Sequence, residues 1–247
     1  MATYQCQAIV IRSRCYGEAD KILTIFSDHF GKISVLAKGV RRILSKMSGH
    51  LQLFSHSKFL LASGKTWDRI IGVEEIKNFS LPQDLHLTAL GFYLAEAIDH
   101  LTQEGEENYS LYKLLNEVFE AMAGADQHLI QPYFELNLLK HLGYKPELYH
   151  CVVCGQKGQR GKILFSPSGG GLVCDSCLHR FKDVHPVSEN VIKLLRLYLE
   201  KKFSFLNHIK IKPLIKEEAE ELSHQFILHI MEREPKSKKF LKKVSHD

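Results

Sequence analysis

The chain has 247 residues, 45% of them hydrophobic and 25% charged, with a net charge of +5. Those fractions fit a folded protein of one large domain or two to three small ones. No apolar run reaches the ~18 residues of a membrane helix, and Met1 to Asp20 shows no basic segment followed by an apolar block. The expectation is therefore a protein of the reducing cytoplasm with no membrane partner, where thiols bind metal rather than pair.

The charge is unevenly placed. Residues 1–80 carry 12 Lys and Arg against 6 Asp and Glu; residues 81–150 carry 3 against 11; residues 151–247 carry 18 against 11. A basic head and a basic tail around an acidic middle point to a polyanionic partner that touches two of the three regions. Unevenly charged solvated faces are the plainer alternative.

Residues 4–76 read as short strands. Tyr4–Arg14, Lys21–Phe26, Lys32–Lys38, Leu53–Ala62 and Thr66–Ile76 are separated by turns at 16–20, 28–31 and 63–65. Five short strands suit a small closed barrel, which leaves no exposed edge. Periodicity does not separate an OB-fold from an SH3-like barrel. The loop Lys38-Gly39-Val40-Arg41-Arg42-Ile43-Leu44-Ser45-Lys46 places four cations in nine residues with no acid between them. Cations at a barrel mouth can neutralise phosphates, and Arg12, Arg14, Lys21 and Lys32 can extend the same face. A solvated loop is the competing reading. Phe26, Phe54 and Trp67 are candidates for stacking on bases, and equally for barrel core.

From Leu85 the apolar period lengthens to about 3.6. Leu87, Leu90, Leu94, Ile98 and Leu101 form one stripe, and Leu111, Leu114, Leu115, Val118 and Met122 a second. Ile130, Phe134, Leu138 and Leu142 form a third, with Pro132 expected in the first turn and Gly143 just past the end. The stripes read as helix-bundle core, with acidic residues on the opposite faces, away from nucleic acid.

Two Cys-x-x-Cys pairs, Cys151/Cys154 and Cys174/Cys177, are separated by nineteen residues. That spacing suits four thiolates on one structural Zn2+ per chain, with no open position for substrate. Paired disulfides and unrelated buried thiols are the alternatives. Between the pairs, Lys162–Pro167 reads as a strand, and Ser168–Val173 returns to the second pair. After Pro186 two helices carry the stripes Val191, Leu194, Leu195, Tyr198, Leu199 and Leu214, Leu222, Phe226, Ile230. The tail Lys236–Lys243 is basic with apolar residues interleaved; phosphate binding and a frayed end both fit.

No catalytic constellation stands out. Ser63-Gly64-Lys65-Thr66 resembles the end of a phosphate-binding loop, but Phe59 occupies the position where that motif needs glycine, and a strand follows instead of a helix. The His-x-Glu and Pro-Cys-x-x-Cys halves of zinc deaminases are missing. The chain is not expected to be an enzyme.

The segments Tyr16-Gly17-Glu18-Ala19-Asp20-Lys21, Gly31-Lys32-Ile33-Ser34, Ala37-Lys38-Gly39-Val40-Arg41-Arg42, Phe134 to Tyr144, Cys151-Val152-Val153-Cys154-Gly155, Phe165-Ser166-Pro167, Gly170-Gly171 and the second cysteine pair stand together in one chain. In them, and over most of its length, the chain resembles the RecO family of bacterial DNA repair proteins. The resemblance implies an α+β chain: an N-terminal five-stranded OB-fold barrel for DNA binding (1–80), then an all-helical domain (81–247) with an inserted four-cysteine zinc element (150–180). It implies a non-catalytic recombination mediator, nucleoid-associated, that binds single- and double-stranded DNA and anneals complementary strands. With RecR, and in some pathways RecF, such proteins help load RecA on strands coated by single-stranded DNA-binding protein. Lys21, Lys32, Lys38, Arg41 and Arg42 match the family's basic positions; Arg12, Arg14 and Lys46 are added on charge alone. A zinc-stabilised scaffold, contacting proteins through its acidic helices with incidental DNA contact, is the alternative.

Overall fold

The structure is a computed structural model and describes residues 2–45, 47–79, 84–122, 124–157 and 163–244. The chain forms two compact units, residues 1–123 with 235–247, and residues 124–234.

The first unit is built on a closed barrel of five strands: β1 (Thr3–Tyr16), β2 (Asp20–Ser27), β3 (Gly31–Ala37), β4 (Ser55–Ala62) and β5 (Asp68–Asn78). Their order around the barrel is β1-β2-β3-β5-β4. Only β3 and β5 run parallel, and β1 closes the barrel by pairing with both β2 and β4. This is the OB-like arrangement that the RecO resemblance implies. Side chains alternate between the two sides of each strand. Cys6, Ala8, Val10, Leu23, Ile25, Val35, Phe59 and Leu61 fill the interior. A register shift between Val10 and Arg12 lets the fourteen-residue β1 bend across the barrel.

Two helices lie against the barrel's outer side. Asp84 caps α1 (Leu85–Leu101) by accepting from the His86 and Leu87 amides, and Asn108 caps α2 (Tyr109–Ala121) by accepting from Leu111. The contact is aromatic. Phe54 is held at a positive φ of 65°, unusual for a side chain with a Cβ, and its ring packs against Phe92 of α1 and Phe119 of α2. The buried His56 ring meets the Tyr112 hydroxyl at 2.7 Å, and burial lowers its pKa. Gly31 marks the closest approach. Its φ is +57°, and a Cβ there would lie 1.8 Å from the Glu106 carbonyl oxygen. The aromatic residues that meet the barrel, Phe92, Tyr112 and Phe119, stand beside the first two apolar stripes and not in them.

The second unit begins with α3 (Gln127–His141) and ends with α4 (Glu189–Glu200), the short α5 (Phe203–Leu206) and α6 (Pro213–Met231). Asp126 caps α3 through the His128 amide, so the helix starts earlier than expected and Pro132 stands inside it. That proline forfeits one intrahelical hydrogen bond. Gly143, at φ +90°, receives the chain just past the α3 C-terminus, as expected. Asn137 ties α3 to α4 by donating to the Tyr198 carbonyl at 2.9 Å. The buried Glu135 accepts from Gln131 at 2.9 Å and from Ser223 of α6 at 2.6 Å. Between α3 and α4, strands β6 (Ile163–Ser166), β7 (Gly171–Val173) and β8 (His185–Val187) form a sheet in the order β7-β6-β8.

The C-terminal segment folds as a short helix, α7 (Lys236–Val244), in the first unit. The Glu96 carboxylate of α1 accepts from the Lys236 and Ser237 amides and from the Ser237 hydroxyl. Leu241 is buried.

Candidate functional site

The β1–β2 turn and the β3–β4 loop meet at one end of the barrel. Tyr16 stands opposite Asp20 across the β1–β2 pair, and Lys21 stands opposite both Cys15 and Ala37. The loop that follows Ala37 is tied to that turn by three hydrogen bonds. Gly39 N–H donates to Asp20 Oδ1 at 2.6 Å, Arg41 N–H to the Ala19 carbonyl at 2.9 Å, and Arg41 Nη1 to the Gly17 carbonyl at 3.2 Å. Val40 is buried in the barrel core and anchors the loop from below. Lys38, Arg41 and Arg42 remain exposed.

An aromatic pair adjoins this cationic end. The Tyr16 and Trp67 rings meet edge to face at 5.2 Å, and the Arg14 guanidinium lies 6.0 Å from the centre of the Trp67 ring. Tyr16 is 47% exposed and Trp67 partly so. Stacked or edge-on aromatics beside cations offer both a phosphate contact and a surface for bases.

Five of the basic residues read from the sequence lie at this end of the barrel by their place in the strands and loop: Arg14, Lys21, Lys38, Arg41 and Arg42. Two others stand with α1. Arg12 Nη1 pairs with Asp99 at 2.9 Å. Lys32, only 13% exposed, reaches Asp99 Oδ1 at 3.3 Å and donates to the Asp99 and Thr102 carbonyls at 2.5 and 2.7 Å. Lys46 lies outside the described residues. Of the three aromatics, Phe26 and Phe54 are buried and only Trp67 has an open face. Tyr16, which sequence reading passed over, joins it; its place at the last position of β1 was the available signal. Asp20 is an acidic neighbour of the loop that sequence distance concealed.

Several acidic residues of the middle segment are engaged within the first unit, Asp99 with the barrel and Glu96 with α7. Besides Asp99 and Glu96, Glu104 accepts from the Ser34 amide at 2.8 Å and Glu120 pairs with Lys77 at 2.7 Å.

The four cysteines converge in the second unit. Their sulfurs all lie within 4.8 Å of one another, and Cys154 and Cys174 are 3.7 Å apart. Four ligands at Zn–S distances of ~2.3 Å on a tetrahedron would stand ~3.8 Å apart, so the cage has the right size. A disulfide would bring two sulfurs to ~2.05 Å, and all six cysteines are free thiols. Gly155, at φ +71°, closes the first knuckle with its amide on the Cys151 carbonyl at 2.9 Å. Burial pushes the Cys151 thiol up, but the Cys154, Cys174 and Val153 amides outweigh it and bring it down to about 6. Hydrogen bonding to Cys174, then burial, pushes Cys177 up to about 12. Four crowded sulfurs cannot all ionise unless a cation joins them. Gly171 lets the loop before the first knuckle pair with β7, since a Cβ there would meet the Glu147 carbonyl oxygen at 2.4 Å. The apolar material around the cage is small: Leu164 and Val173 with Val152, Val153, Phe181 and Val184.

Among the described residues, no helix is long and apolar enough to cross a membrane.

Comparison with known proteins covers both parts of the chain. Residues 1–79 match the family model described as recombination protein O N terminal, and residues 82–239 match recombination protein O C terminal. A DNA repair protein RecO of Dehalococcoides mccartyi strain BAV1 is 38% identical over 236 residues, covering 95% of this chain and 93% of that protein. One from Roseiflexus sp. strain RS-1 is 34% identical over 243 residues, covering 98% and 86%. One from Listeria monocytogenes serotype 4b is 32% identical over 242 residues, covering 97% and 94%.

Proposed function

Because the chain belongs to the RecO family of DNA repair proteins, we propose that it is a non-catalytic recombination mediator that holds DNA at the open end of its barrel. The reading is carried by one observation: Arg14, Lys21, Lys38, Arg41 and Arg42 share a barrel end with the Tyr16–Trp67 pair. The cations hold phosphates regardless of sequence. The aromatic edges accept bases of any identity, because every base has a π-face. A surface of this kind can keep two single strands close without reading either, which is what annealing of complementary strands requires. In the family's role, this chain would work with RecR, and in some pathways RecF, to help load RecA on strands coated by single-stranded DNA-binding protein.

The cysteine cage fits Zn2+, held by Cys151, Cys154, Cys174 and Cys177. The ion would supply the cross-link that a small apolar cluster does not, and four thiolates leave it no site for substrate. The second reading, a scaffold presenting acidic helices to protein partners, is weakened by the engagement of Glu96, Asp99, Glu104 and Glu120 within the first unit.

The test is annealing of complementary oligonucleotides by purified protein at moderate salt. The charge reversal Arg41→Glu/Arg42→Glu is expected to slow annealing by at least about tenfold. Annealing at the wild-type rate would contradict the proposal.

A further inference from the structure

The tip of the β3–β4 loop carries two aliphatic side chains with nothing over them. Ile43 is 101% and Leu44 92% exposed. Single exposed aliphatics are ordinary, but these two are adjacent and follow Arg41 and Arg42 directly. The loop is anchored on both sides of the tip. Val40 on one side and Leu51 on the other are buried in the barrel core, with Met47 packed against it. The Ser45 amide closes the turn on the Arg42 carbonyl at 2.9 Å. The barrel thus holds out an apolar point on a cationic stalk.

We propose that Ile43 and Leu44 form a wedge that enters an opened base step, so that this end of the barrel favours a junction of single-stranded and duplex DNA over a closed duplex. The proposal rests on the reading of the barrel end as a DNA surface. The chemistry of the surroundings selects the occupant. A base step offers apolar faces flanked on both sides by phosphates, and the tip offers aliphatic carbons flanked by Lys38, Arg41 and Arg42. A hydrophobic groove on a protein would match the aliphatics and leave those cations unanswered. Leucine and isoleucine are among the side chains that wedge between base pairs. Their gain is the removal of apolar surface from water, and their cost is unstacking. That cost is least where bases are already unpaired, which is why a junction is the preferred substrate. Tyr16 and Trp67, on the same end, would receive the freed bases.

The experiment uses the full chain and three DNA probes: a single strand, a blunt duplex and a forked duplex with 2-aminopurine in its terminal pair. Wild-type protein should bind the fork about tenfold more tightly than the blunt duplex, and 2-aminopurine fluorescence should rise on binding. Ile43→Ser/Leu44→Ser should abolish the fluorescence rise and lower fork affinity to that of the single strand alone, while single-strand affinity changes by less than about twofold. Arg41→Glu/Arg42→Glu should weaken binding to all three probes. If the serine variant keeps the fork response, the wedge is overturned and the cationic surface stands. If the serine variant binds DNA normally but loses affinity for RecR, the tip is a protein contact and the wedge is likewise overturned. Should the charge reversal leave all three probes bound as before, the DNA reading itself fails and the wedge falls with it.

Discussion

Asp99 divides the barrel's cations into two kinds. Lys32 is nearly enclosed, with its ammonium on one carboxylate oxygen and two backbone carbonyls. It ties β3 to the C-terminal end of α1. Arg12 shares the same carboxylate but is 56% exposed, and an exposed pair of that kind contributes little to stability. Arg41 and Arg42 are exposed at the loop and hold no such place. Replacing Lys32 by alanine should therefore lower folding stability by about 2–3 kcal/mol, since charge-assisted hydrogen bonds are worth about 1.5–3 kcal/mol. Arg42→Ala should stay within about 0.5 kcal/mol. Chemical denaturation of the two variants measures the difference, and equal stabilities would show that Lys32 is no staple. In the sequence both positions read alike, as basic residues of a basic segment, because the partner of Lys32 lies 67 residues away. Phe54 and Trp67 were equally alike on paper. The left-handed backbone at Phe54, which turns its ring toward the helices, has no local signature in residue type.

At the scale of elements, the two cysteine knuckles were the most legible feature. Cysteine spacing is a local constraint, and the cage geometry follows from it almost without help from the rest of the chain. The strands were legible because β-rich runs are bounded by the turns at 16–20, 28–31 and 63–65, even though β2 is buried on both faces and does not alternate. Less could be read where tertiary partners decide. The α3 helix absorbs Pro132 because its cap at Asp126 and its ties to α4 outweigh one missing bond. The tail becomes α7 because Glu96 accepts its first amides. Removal of metal tests the knuckles. A structural zinc binds with an apparent energy of about 10–16 kcal/mol in small peptides, far more than the few buried side chains here contribute at about 1.5–3 kcal/mol each. Protein prepared with one zinc per chain should lose protection in hydrogen exchange over residues 147–157 and 163–187 on chelation. The exchange rate should rise by roughly a hundredfold there, with the barrel strands unaffected. Unchanged protection after complete metal removal would show that the apolar cluster alone holds the sheet.

For the whole molecule, the charge pattern along the chain proved to have two meanings. In the basic head, Lys38, Arg41 and Arg42 lie exposed on the loop tied to the β1–β2 turn, while Arg12 and Lys32 pair with Asp99. Part of the acidic middle, expected on faces turned away from nucleic acid, joins elements within the first unit: Asp99, Glu104 and Glu120 to barrel strands and Glu96 to α7. Net charge by segment conveys the sum of such pairings and not their partners, so the place of Arg14 beside Trp67, and the tie of Arg41 to the β1–β2 turn, were not visible in it. The order of barrel before helices followed from the change of apolar period at Leu85. The return of the C-terminus to the first unit did not, because an amphipathic helix of nine residues does not specify which surface it covers.

Phosphate contact at the barrel end is the central claim, and salt titration of single-strand binding measures that contact directly. Each phosphate neutralised contributes about 0.7 to the slope of log affinity against log salt for single strands. Arg41→Gln/Arg42→Gln should therefore reduce the slope by about 1.4 and weaken binding to every sequence alike. A double variant with the wild-type slope and affinity would place the DNA elsewhere.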